Sequence, residues 1–123
     1  MKIILVIGLG SFLGGISRYL LSLFIQNKFL STFPFGTLVV NIIGCFLIGL
    51  IFGLSERGNF TMEWRLFLVT GFLGGFTTFS SFSNETACLL RDGQILHAFT
   101  YITSSVVIGL LATFTGISIS KLW

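Results

Sequence analysis

Residues 66–90 read "LFLVTGFLGGFTTFSSFSNETACLL". About 20 helical residues cross a hydrocarbon core of about 30 Å, so this segment is long and apolar enough to span a bilayer. Its middle is out of character. "GGFTTFSSFSNE", residues 74–85, places two adjacent glycines, five hydroxyl side chains and three phenylalanines where a membrane helix ordinarily carries Leu and Val. Each glycine weakens a helix by about 1 kcal/mol relative to Ala, and Ser and Thr hydroxyls compete for nearby backbone groups. A break within residues 74–78 is therefore expected. At membrane depth a break frees carbonyls that only protein, an ion or water can satisfy, and discontinuous helices are a recurring way to build ion sites. On composition alone, a continuous helix that packs through its Ser, Thr and Gly is the open alternative.

Three further segments have the same character. Residues 3–26 carry one charge, Arg18; residues 33–55 and 98–120 carry none; residues 66–90 carry only Glu85. Only a helix satisfies its own backbone in lipid, so the fold class is an all-α membrane protein with four transmembrane helices. The joins "NKFLST", "ERGNFTMEWR" and "RDGQILH" are short, so residues 1–123 read as a single domain. Lys2 followed by "IILVIGLG" has the look of a signal peptide. Arg18 interrupts it and no small-residue cleavage site follows, so it reads as a retained first span.

Composition agrees with lipid as the solvent. The 123 residues are 54% hydrophobic and 9% charged, with a mean hydropathy of +1.00, against about a quarter charged in soluble domains. The net charge of +3 comes from scattered residues and not from a basic stripe, which excludes a nucleic-acid partner. Four crossings put Lys2, Arg57, Arg65 and Lys121 on one side and Lys28 and Arg91 on the other. That bias is weak under the positive-inside rule, so insertion both ways up is allowed. G-x-x-x-G spacings in "GSFLG" (10–14), "GLIFG" (49–53) and "GFLGG" (71–75) let helix backbones approach closely. Four short helices hardly enclose a hydrophilic path, so an oligomer is expected.

Phe79 and Phe82 are three apart and lie near one face of a helix resuming after the break; Ser80 and Ser83 share that spacing. Aromatic rings have positive edges. Ring edges beside hydroxyl donors would suit a small anion, and core packing is the other fate of such a pair. Cys45 and Cys88 lack metal-ligand spacing and read as inert buried thiols. His97 reads as interfacial, and Trp64 and Trp123 as boundary anchors.

"GFLGGFTTFSSFSNE", together with "GTLVVN" at 36–41, resembles the Fluc/CrcB family of fluoride ion channels, and the likeness covers essentially the whole chain. Ser81 stands where many members have Thr. The resemblance implies a fluoride-selective passive channel in the inner (plasma) membrane, built as an antiparallel, dual-topology homodimer with two pores. It implies a structural sodium ion at the dimer centre, held by the main-chain carbonyls of Gly74 and Thr77. Phe79 and Phe82 match the pore-lining pair, with the two rings of one pore coming from different chains. Asn41 matches an amide donor near the ion path, and Thr37 lies one turn from it. Ser80, Ser81 and Ser83 supply hydroxyls, and Tyr101 and Ser105 match polar pore-side positions. Gly109 lacks the hydroxyl that some relatives have there. Arg18 either snorkels to the interface or, as the resemblance favours, makes a vestibule electropositive. Glu85 is expected to be hydrogen-bonded off the direct path, gating access or holding the helix end.

Two rivals come from other classes. A four-helix multidrug exporter needs a membrane-embedded carboxylate, typically in the first helix, and that helix holds Arg18 and no acid. An enzyme of this size would need acids to hold Mg²⁺ and nucleotide. Glu56, Glu63, Glu85 and Asp92 lie mostly in or beside loops, with no phosphate-cradling motif.

Overall fold

The computed structural model describes residues 1–58 and 60–122; Trp123, read above as an anchor, lies outside them. The chain forms α1 (Lys2–Lys28), α2 (Phe35–Glu56), α3 (Met62–Arg65), a π-helix (Leu66–Leu73), α4 (Gly74–Phe76), α5 (Phe79–Arg91) and α6 (Ile95–Ser120). Four stretches are long and apolar enough to cross a membrane: Lys2–Lys28, Phe35–Glu56, Met62–Arg91 and Ile95–Ser120. No strand occurs among the described residues. This is an all-helical, multi-pass membrane protein.

Turns sit where the backbone needs them. Gly58 (φ 76°) follows α2 and Gly93 (φ 80°) follows α5, in the left-handed region that glycine enters at little cost. Thr61 starts the third span, its side chain accepting from the Trp64 N–H at 3.3 Å. One end of the bundle is tied by Lys2–Glu63 at 3.0 Å and by Arg57 Nη1 donating to the Ser120 carbonyl at 2.9 Å. At the other, Thr32 Oγ1 donates to Gln94 Oε1 at 2.8 Å.

Two seams hold the helices. α2 packs most extensively on α6, and α1 on the π-helix and α4. Both seams depend on glycine. A Cβ at Gly49 would overlap the Thr113 carbonyl, and one at Gly14 would overlap the Phe72 carbonyl, so backbones meet where lipid gives no hydrophobic drive. Two apolar clusters fill the interior, one with Phe33, Leu38, Leu89, Ala98 and Tyr101, the other with Val40, Leu73 and Phe76. Much of the remaining apolar surface, including Leu5, Leu9, Phe12 and Leu110, is exposed.

In the third span, Thr77 (φ −83°, ψ 154°) and Thr78 (φ −148°, ψ 119°) are extended between α4 and α5. The glycines before them are helical, with Gly74 at φ −61° and ψ −36°. Gly75 serves contact: a Cβ there would come within 2.6 Å of the Ser11 carbonyl oxygen.

Candidate functional site

An uninterrupted helix would pair each N–H with the carbonyl four residues back. That pattern stops at Thr78, where other groups take over. The Asn41 amide, from α2, clamps Thr78 from both sides: Nδ2 donates to the Thr78 carbonyl at 3.0 Å, and the Thr78 N–H donates to Oδ1 at 2.9 Å. Arg18 Nε, from α1, donates to the Gly75 carbonyl at 3.2 Å. The Thr77 N–H and hydroxyl both donate to the Leu73 carbonyl at 2.9 Å. Thr78 Oγ1 caps α5 by accepting from the Ser81 N–H at 3.1 Å. Among the described residues, no donor reaches the carbonyls of Gly74 or Thr77.

Beside the clamp lies a cleft of about 440 Å³. Asn41, Thr78, Phe79, Phe82 and Ser105 line it together with Gly74 and Thr77, and Cys45 and Ile48 add apolar wall. Phe79 is 79% exposed in the single chain. Its ring centroid is 5.7 Å from that of Phe82, which in turn lies 5.0 Å from Tyr101. The Ser105 hydroxyl is buried and has no hydrogen-bond partner among the described residues, although a helical Ser can bond back to the preceding turn.

A second cluster adjoins the cleft around Glu85. Thr37 Oγ1 donates to Oε1 at 2.6 Å, and the Tyr101 hydroxyl donates to Oε2 at 3.4 Å. The carboxyl group is thus held by two spans, α2 and α6, at buried side chains (Thr37 8% and Tyr101 0% exposed). Of the remaining candidates, Ser80 and Ser83 are exposed on α5 and Ser80 Oγ is 3.3 Å from Thr78 Oγ1. Gly109 is buried against α2, its Cβ position 3.4 Å from Cys45 Sγ. His97 is exposed near Gln94, its Nδ1 3.1 Å from Oε1.

The structure therefore gathers Asn41, Phe79, Phe82 and Ser105 around one cleft, and Thr37, Tyr101 and Glu85 into one cluster. Arg18 sits at a backbone carbonyl of the third span. Thr78 was read from the sequence only as part of the expected break and not as a cap, although its position before "FSS" carries an N-cap signal. Among the described residues no three His, Cys, Asp or Glu side chains converge as metal ligands, so a cation would have to use main-chain or hydroxyl oxygen.

Residues 5–117 match the family model described as "CrcB-like protein, Camphor Resistance (CrcB)". The chain is 52% identical to "Fluoride-specific ion channel FluC" of Flavobacterium psychrophilum over 98% of both chains. It is 48% identical to the protein of that name from Chlorobium phaeobacteroides, over 98% of this chain and 94% of the relative. The relative so named from Phocaeicola vulgatus is 46% identical over 98% of this chain and its own whole length. These relatives carry the name of a channel and not of an enzyme. With residues 5–117 matched and relatives up to 52% identical over nearly the whole chain, the chain belongs to the CrcB-like family.

Proposed function

We propose that this chain is a fluoride-selective passive channel of the inner membrane, working as an antiparallel homodimer with two pores. The choice of fluoride follows the names of the relatives. The observation that carries a conduction path is the cleft that Asn41, Ser105 and two phenylalanines line together. Fluoride holds its water strongly, so a pore must replace hydration with donors. The Asn41 amide has two N–H groups; one holds Thr78 and the other is available in the cleft. Ser105 adds a hydroxyl uncommitted among the described residues and buried in the cleft wall, and a Phe79 and a Phe82 ring, one from each chain of the dimer, supply weaker contacts through their positive edges. Movement follows the gradient and the membrane potential, with no energy source attached.

A second copy is favoured by what one chain leaves uncovered. Ser80, Ser83 and Asn84 are exposed along α5, next to Phe79. Polar groups facing hydrocarbon are costly, and a partner or water in their place removes the cost. The weak charge bias allows that partner to be inverted.

The central sodium is part of the same proposal. The Gly74 and Thr77 carbonyls lack donors among the described residues, and hard cations prefer oxygen ligands. The residues present fit such an ion: those two carbonyls would hold it, joined by their symmetry mates. The bound ion would supply charge that satisfies carbonyls otherwise left unpaired at an interface.

The test is efflux from liposomes loaded with potassium fluoride, followed with a fluoride electrode after valinomycin. Fast fluoride release, with little chloride release from matched vesicles, is the expected result. No release from verified dimer would refute the channel.

A further inference from the structure

A second cavity, of about 240 Å³, lies between α2 and the π-helix. Its lining includes Ser55, Arg65 and Thr70, and it shares Ile48 and Val69 with the larger cleft. The two spaces therefore adjoin across Ile48 and Val69. The π-helical winding bonds residue i to i+5 and so takes more residues per turn than an α-helix. That winding brings Arg65, Val69 and Thr70 to the cavity together, whereas five residues along an α-helix would turn Thr70 well away from Arg65.

Three features of this cavity have no partner among the described residues. The Ser55 hydroxyl is buried and makes no hydrogen bond among them. That is unusual here, because Thr77, Thr86, Thr113 and Thr115 all donate to the carbonyl four residues back. The Arg65 side chain makes no ion pair or hydrogen bond among the described residues, while nearby Glu63 is paired with Lys2. The Thr70 hydroxyl likewise bonds to nothing among them. Arg18, the other cation that could face a water-filled approach, has its Nε on the Gly75 carbonyl.

We propose that Arg65, Ser55 and Thr70 form a small-anion subsite at the mouth of the conduction path, from which the ion passes Ile48 and Val69 to the Asn41 cleft. This inference rests on the channel reading above. Arg65 raises the local anion concentration, the exposed Thr70 hydroxyl replaces part of the lost hydration, and the Ser55 hydroxyl, buried in the cavity wall, joins it after a change of rotamer. In an antiparallel dimer each membrane face presents one such mouth.

The test is the initial rate of fluoride efflux, measured across a range of fluoride concentrations and ionic strengths for wild type, Arg65→Gln, Arg65→Lys and Ser55→Ala. Electrostatic focusing alters association rates by about 10-fold or more and fades as salt shortens the screening length. Arg65→Gln should therefore slow efflux about 5- to 10-fold at low fluoride and low salt, and come within about twofold of wild type when both are high. Arg65→Lys should keep most of the rate. Ser55→Ala should lower the rate at low fluoride about two- to threefold without loss of stability, since it removes a buried hydroxyl with no partner among the described residues. A dimeric Arg65→Gln protein matching wild type throughout would overturn the subsite. So would an equal deficit at every fluoride and salt concentration, which marks Arg65 as an anchor for lipid phosphate. If Arg65→Gln fails to assemble, Ser55→Ala decides, and wild-type efflux from it overturns the proposal. If wild type itself does not conduct fluoride, the channel reading fails and the subsite falls with it.

Discussion

Asn41→Ala removes the two-sided hold on Thr78. The native pair consists of an N–H···O bond of 3.0 Å and its reciprocal of 2.9 Å. Truncation leaves the Thr78 N–H and carbonyl without these partners, and each stranded buried polar group costs about 1–3 kcal/mol. Both bonds are part-buried, so water offsets some of this and the low end, about 2 kcal/mol in total, is expected. The loss should be local in origin: with Thr78 released, the Thr78 Oγ1 cap on Ser81 loses its fixed position. Unfolding in detergent micelles, followed by tryptophan fluorescence and by the dimer fraction on size exclusion, measures it. Asn41→Asp is the informative companion. It keeps an acceptor for the Thr78 N–H and places an oxygen against the Thr78 carbonyl, so it should lose stability as well. An Asn41→Ala protein within about 0.5 kcal/mol of wild type would show that the clamp is not what holds the extended segment.

Other expectations follow from the same contacts. Thr37→Val removes the 2.6 Å donor to Glu85 and should cost about 1–3 kcal/mol, whereas Tyr101→Phe removes a 3.4 Å contact and should cost clearly less; unfolding of the two single variants and the double variant gives their coupling. Gly49→Ala drives a methyl into the Thr113 carbonyl and should destabilise by about 1–3 kcal/mol or prevent recovery of folded protein. Gly8→Ala, with open space at its Cβ, serves as the neutral control in that comparison. Arg18→Ala frees the Gly75 carbonyl and should lower stability by about 1–3 kcal/mol, read from the same micelle unfolding; an unchanged value would return Arg18 to a purely electrostatic role.

Much of the fold was legible because lipid imposes so few solutions. Four apolar stretches with at most one internal charge each can only be helices, and observed ends such as Lys28, Phe35 and Ile95 lie within a few residues of those read from hydropathy. Glycine spacing pointed to the seams but not to their partners. That Gly14 faces Phe72 and Gly49 faces Thr113 depends on helix rotation, which no local pattern encodes. The third span shows the limit best. Its glycines were read as weak points, yet Gly74 and Gly75 are helical and the extended residues are Thr77 and Thr78. Thr78 is held by Asn41, 37 positions away, and the Gly75 carbonyl just before the extended pair by Arg18, 57 positions away. The Glu85 cluster joins residues 48 and 16 positions apart for the same reason. Spacing places residues on one helix face; it does not say which group on another helix completes them.

The central claim, that an anion path runs past Asn41, Ser105 and the phenylalanine pair and is selective for fluoride, is tested most directly by single-channel recording. Purified protein would be fused into a planar bilayer with fluoride on one side and chloride on the other, for wild type and Phe82→Ile. The account expects wild-type current carried by fluoride with a reversal potential set by the fluoride gradient, and current lost or strongly reduced in a Phe82→Ile dimer. Equal permeation of chloride, or full fluoride current through Phe82→Ile, would contradict it.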